Sequence, residues 1–154
     1  PKGVDDGTRI RIAGKGEAGS KGGSSGDLYL FISVEPHNIF KRSEENLYYE
    51  LPISFTDAAL GATVEVPSID GGKTKIKIPS GTQSGKQLRL KGKGMPVLKR
   101  NIFGDLYIRI VTEVPTSLTK RQKELLNEFK TLEDNKSNPL IKSFFDKAKK
   151  FWKN

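Results

Sequence analysis

The spacing most suggestive of chemistry is Gly81-Thr-Gln-Ser-Gly85-Lys86-Gln87, which has the look of a phosphate-binding loop. Such a loop needs four residues between its glycines and a Ser or Thr after the lysine to hold magnesium. Here three residues intervene and Gln87 follows. A second copy of the same turn, ending at Gly7, carries Asp5 and Asp6, which would repel phosphate. The glycines therefore read as turn residues at positive φ. His37 is the only histidine, and no Gly-x-Ser-x-Gly elbow is present to build a Ser-His-Asp arrangement. Asp27 and Asp105 imitate a catalytic carboxylate pair, yet each follows a glycine at the start of a strand pattern. A side-chain oxygen there caps a turn. With no cysteine, neither a thiol nucleophile nor a thiolate metal site can form. The sequence predicts no enzyme, no metal site and no cofactor.

One cationic stretch remains. Residues 71–104 hold 9 basic and no acidic side chains, whereas residues 1–70 hold 7 basic and 11 acidic ones. Lys73, Lys75 and Lys77 alternate with Thr74, Ile76 and Ile78; Arg89 and Lys91 alternate with Leu88 and Leu90. This alternation fits the solvated face of strands, where lysines also protect sheet edges. It equally fits a face that steers an acidic partner, either an acidic peptide or nucleic acid. Aromatic residues do not interleave with these cations, which argues against single-stranded nucleic acid. A basic nucleic-acid-binding module using residues 71–104 is the alternative reading.

The elements that must carry these residues are set by a repeat at an offset of 78. Gly7, Arg9-Ile-Arg-Ile12, Gly14-Lys-Gly16 and Gly26-Asp-Leu-Tyr29 return as Gly85, Gln87-Leu-Arg-Leu90, Gly92-Lys-Gly94 and Gly104-Asp-Leu-Tyr107. A fixed period of this kind marks a duplicated unit. Hydrophobic residues make up only 34%, with 16 Gly and 8 Pro, which suits short strands and many turns. Arg9–Ile12 alternates as a half-buried strand, and the apolar run from Leu28 to Val34 predicts a strand covered on both sides. Leu47, Tyr49, Leu51, Ile53 and Phe55 recur at period two and predict a long strand. A short helix follows, with Thr56 as its cap and Gly61 as its end. Thr63–Val66 and Thr74–Ile78 flank Asp70-Gly-Gly72, a hairpin signal. After Pro115 the period becomes helical. Thr119 with Gln122 makes a capping box for a helix over 119–134, and Asn138-Pro139 opens a second. Its stripe is Leu140, Ile141, Phe144, Phe145, Ala148, Phe151 and Trp152, opposite lysines. Such a helix can lie on a membrane surface or pack on protein; the modest core favours packing on the preceding helix or a second subunit. Apolar runs are too short to span a bilayer, and no secretory segment opens the chain.

The motif series Phe55-Thr-Asp-Ala-Ala-Leu-Gly61, Val66-Pro67, Asp70-Gly71, Ile78-Pro-Ser-Gly81, Leu88-Arg-Leu-Lys-Gly-Lys-Gly-Met-Pro96 and Gly104-Asp-Leu-Tyr107 resembles the C-terminal region of bacterial DnaJ-type (J-domain) co-chaperones. Pro36-His37 through Phe40-Lys-Arg42 resembles the end of the preceding unit. The resemblance implies a mainly β fold: two tandem β-sandwich units, the first truncated, then a helical dimerisation segment. The divisions are 1–40, 41–116 and 117–154. It implies a cytoplasmic protein of the heat-shock response that binds unfolded polypeptide and hands it to a DnaK-type ATPase chaperone. The family's zinc module is absent, and neither membrane nor nucleic acid is an expected partner. Phe40 falls where the family places a peptide-groove residue, although it could equally plug the junction between units. Leu125, Phe129, Leu132, Phe144, Phe145 and Trp152 are the residues expected to bury in tail contacts of a homodimer. The phase of the repeat makes residues 1–40 the second half of a unit, so the chain reads as a fragment.

Overall fold

The computed structural model describes residues 1–154, which form two compact units, Pro1–Val114 and Pro115–Asn154. The first unit contains β1 (Arg9–Ile12), β2 (Leu28–Phe31), β3 (Lys41–Ser43), β4 (Asn46–Ser54), α1 (Phe55–Leu60), β5 (Ala62–Pro67), β6 (Lys73–Ile78), β7 (Gln87–Leu90) and β8 (Leu106–Glu113). The second contains α2 (Lys120–Leu132) and α3 (Pro139–Lys153). The protein is mainly β with a helical C-terminal segment.

The strands form three sheets. β1 and β2 make an antiparallel pair, β3-β4-β8-β7 a four-stranded sheet, and β5 and β6 a second antiparallel pair. Period-two side chains on β4 and β8 send Leu47, Tyr49, Ile53, Leu106, Ile108 and Ile110 to one face. They pack with Val66, Ile76 and Ile78 of the β5–β6 pair and with Ala58 of α1, so two β-layers enclose one core. Tyr49 reaches across the layers, and its hydroxyl donates to the Pro67 carbonyl at 3.1 Å. Burial pushes its phenol up to about 12.

Three local expectations change. Ser54, not Thr56, caps α1: its Oγ accepts from the Asp57 N–H at 3.0 Å, because the helix begins at Phe55. Thr56 Oγ1 lies 3.1 Å from Ser54 Oγ and joins the cap from inside. Asn138 precedes Pro139 at the start of α3, but its side chain makes no cap and instead donates to Glu133 at 2.7 Å. Finally, β2 is not covered: all four of its residues are exposed. Its hydrogen-bonded neighbour is β1 alone, whereas β8 lies between β4 and β7. The capping box of α2 forms as expected, with Gln122 N–H donating to Thr119 Oγ1 and Thr119 N–H donating to Gln122 Oε1.

Candidate functional site

The segment after β2 turns through Pro36 and His37 and delivers Phe40 to the edge of the core. His37 Nδ1 accepts the N–H groups of Ile39 and Phe40 at 3.0 and 3.3 Å, tightening this turn. Both N–H groups meet the same imidazole nitrogen, so His37 acts as a turn-former. Phe40 is 7% exposed and stands edge-on to His37 and Tyr49, both at 5.2 Å between ring centroids. Phe40 is thus the floor of a cavity and also a core residue.

That cavity has a volume of about 510 Å³. Val34, Pro36, Phe40, Leu47, Ile69 and Met95 give it apolar walls, and Asp5, Asp6, Glu35, Lys41 and Arg42 ring it with charge. Val34 and Ile69 are exposed, so apolar surface is open to a ligand. Arg42 is already committed. Its guanidinium donates to the carbonyls of Gly3, Val4 and Glu44, and lies 3.7 Å from Asp5. These bonds fasten the opening segment of the chain to the start of β3. Gly3, at φ +90°, sits so close to the Pro96–Leu98 loop that a Cβ would lie 2.6 Å from the Pro96 carbonyl oxygen. The cavity wall is therefore built by residues distant in sequence and held by hydrogen bonds and close backbone packing.

The cationic residues do not form one surface. Lys73, Lys75 and Lys77 share the outward face of β6, opposite Pro67, Glu65 and Thr63 of β5, while Ile76 and Ile78 point inward. Lys73 lies 3.8 Å from Glu65. Arg89 sits on the outer face of the other layer and is bound to Asp105, which accepts from its Nε at 2.7 Å. This bond raises the Arg89 guanidinium further. The Gly92 N–H, then Arg89, hold the Asp105 carboxyl below the usual carboxylate range. Lys91 adds a smaller field at the same carboxylate. Asp27 repeats the arrangement with Gly14 and Arg11. Both aspartates are thus turn caps that also clamp an arginine.

A groove of about 500 Å³ on the outer face of the four-stranded sheet has no counterpart among the sequence motifs. There Tyr48 stacks on Tyr107 at 5.1 Å and 12°, Glu50 faces Arg109 at 3.8 Å, and Lys41 and Gln87 line the sides. Strand register alone brings these residues together, and no local motif could have signalled it. No cluster of three or more His, Cys, Asp or Glu side chains is placed to hold a metal ion. In the helical unit, Leu125, Phe129 and Leu132 lie on one face of α2, and Phe144, Phe145 and Trp152 on one face of α3; all six are exposed in the single chain.

Comparison with known proteins agrees with this architecture. The model of the DnaJ C terminal domain matches residues 1–115, and that of the chaperone protein DnaJ C-terminal region matches residues 121–154. The chain belongs to the DnaJ C-terminal domain family. It is 68% identical over its whole length to the chaperone protein DnaJ of Pelagibacter ubique, of which it covers 41%. It is 59% identical over 152 residues to that of Azorhizobium caulinodans and 55% identical over 152 residues to that of Brucella canis, covering 99% of this chain and 40% of each relative. The chain thus spans about two fifths of the length of these relatives.

Proposed function

We propose that the chain is the client-holding part of a DnaJ-type co-chaperone. It holds apolar segments of unfolded polypeptide without covalent chemistry, and the full-length protein passes them, in the cytoplasm, to a DnaK-type ATPase chaperone. The observation that carries this reading is the cavity over Phe40: open apolar walls from Val34, Ile69 and Met95, with a frame hydrogen-bonded by Arg42 and closely packed at Gly3. A preorganised apolar cavity binds without the cost of ordering its own walls. The test is light scattering of a reduced, aggregating client. Because Phe40 is also core, the informative variant is Val34→Asp with Ile69→Asp at two exposed positions. Protection by the parent chain should be lost in the variant at unchanged helical and strand circular dichroism. Equal protection by both would reject the cavity as the site. The division of the cations between two outer faces lends no support to a nucleic-acid surface.

The α2 stripe is the proposed dimer contact. Leu125, Phe129 and Leu132, joined by the half-buried Leu126, are bordered by both signs of charge, including the Arg121–Glu124 pair at 3.3 Å. Mixed flanking charge suits a helix that pairs with protein. Leu125→Asp with Phe129→Asp should give monomers in sedimentation velocity at concentrations where the parent chain sediments as a dimer. A dimer that survives both changes assigns the contact elsewhere.

A further inference from the structure

The last helix differs from α2 in how its charges are placed. At about 100° per residue, every position of α3 after Pro139 falls into one of two arcs. Leu140, Phe151, Phe144, Ala148, Ile141, Trp152 and Phe145 occupy an arc of about 140°, and Lys149, Lys142, Lys153, Asp146, Lys150, Ser143 and Lys147 occupy the other side. None of these side chains is buried, and Trp152 is 69% exposed. Five lysines stand against one acid, Asp146, and that acid is already bonded to Lys142 at 2.7 Å. Lys147 and Lys149 sit at the two borders of the apolar arc, where a lysine stem can lie along apolar surface while its ammonium reaches outward.

This pattern selects its occupant. A second α3 would bring lysine borders against lysine borders with no free acid to balance them. A protein groove would match the apolar arc, but nothing about the arc calls for a uniform cationic rim. A lipid surface calls for both: a broad apolar arc with aromatics at the interface, and cations at both borders facing anionic headgroups. The helix is too short and too charged to cross a bilayer. We propose that α3 docks flat on an anionic lipid bilayer, with Phe144, Phe145 and Trp152 in the interface and Lys147 and Lys149 against the headgroups. On the sequence alone, packing on the preceding helix or on a second subunit is the favoured reading of this stripe, and no membrane partner is expected.

Trp152 is the only tryptophan, so it reports on this helix without a label. The 154-residue chain is titrated with vesicles of neutral phosphatidylcholine and with vesicles containing 30% phosphatidylglycerol, following Trp152 emission and co-sedimentation, at about 0.1 and 0.5 M salt. Docking predicts a blue shift and co-sedimentation with the anionic vesicles, at least about ten-fold weaker binding to neutral ones, and partial reversal by salt. Lys147→Glu with Lys149→Glu should weaken anionic-vesicle binding about ten-fold or more. Asp146→Lys should strengthen it, which loss of folding could not mimic. No shift with either vesicle, equal binding to both, or a blue shift that grows with protein concentration without vesicles would overturn the proposal, the last in favour of a second copy.

Discussion

The two copies of the repeat share their hydrogen bonds and differ in almost everything that produces a core. β1 pairs with β2 in the register in which β7 pairs with β8, every partner displaced by 78. Arg11–Asp27–Gly14 matches Arg89–Asp105–Gly92. The Gly7 N–H donates to Ile32 as Gly85 donates to Ile110, and Gly16 to Gly26 as Gly94 to Gly104. Yet Leu106, Ile108 and Ile110 are wholly buried, while Leu28, Tyr29, Leu30 and Phe31 are exposed. Tyr29 finds the Arg9 guanidinium at 4.7 Å, whereas its counterpart Tyr107 stacks on Tyr48 of β4. The comparison teaches that turn chemistry and register are local properties carried by the repeat itself. Burial depends on which other elements lie beside it, and β8 has β4 on its second edge and the β5–β6 pair across its face.

The strongest test of that contrast is a matched pair of truncations. Ile108→Ala should cost about 2–5 kcal/mol by chemical denaturation, since it empties a fully enclosed site. Its equivalent, Leu30→Ala, should cost under about 1 kcal/mol because the side chain already meets solvent. Similar losses would mean that β2 is covered in solution. A smaller effect separates the shared clamp from the unshared core. Asp105 is held below its unfolded value by Gly92 and Arg89, so its contribution is present above the ordinary carboxylate range and is lost as pH falls through its depressed folded value. Asp105→Asn should therefore flatten the acid limb of the stability profile between about pH 4 and the folded value. Its cost at neutral pH should be smaller than that of Ile108→Ala, because the arginine side of the clamp is exposed to solvent and screened. An acid limb identical to that of the parent chain would remove Asp105 from the account.

Much of the fold was legible because its signals are short-range. The capping box at Thr119–Gln122, the hairpin at Asp70-Gly-Gly72 and the period-two pattern of β4 each depend on residues within one turn or one strand. At Asp70 the cap is complete, with Ser68 Oγ and the Gly72 N–H both donating to Oδ1 and holding its carboxyl low. The α1 cap lies two residues before the expected Thr56 because Ser54 and Thr56 have the same chemistry, and only the extended backbone at Ser54 chooses between them. The apolar run of β2 misled more seriously, because an apolar strand announces what it can bury and not whether a neighbour is present.

The site was less legible. Resemblance marks Phe40, but its double role as cavity floor and core residue follows from Tyr49 and Leu47 of β4 meeting it. The wall formed with Ile69 and Met95, and the fastening of Gly3 and Val4 by Arg42, join residues about 30 to 60 positions apart. By itself the sequence determined the duplicated unit, the turn caps, the strand periods, the helical tail and the segregation of lysines from aromatics on α3. All of these follow from backbone geometry over a few residues. Only the tertiary structure decided which copy owns a core, where the cations divide, how Tyr48 meets Tyr107, and what encloses Phe40. Those outcomes depend on strand order and layer packing, which no local pattern encodes.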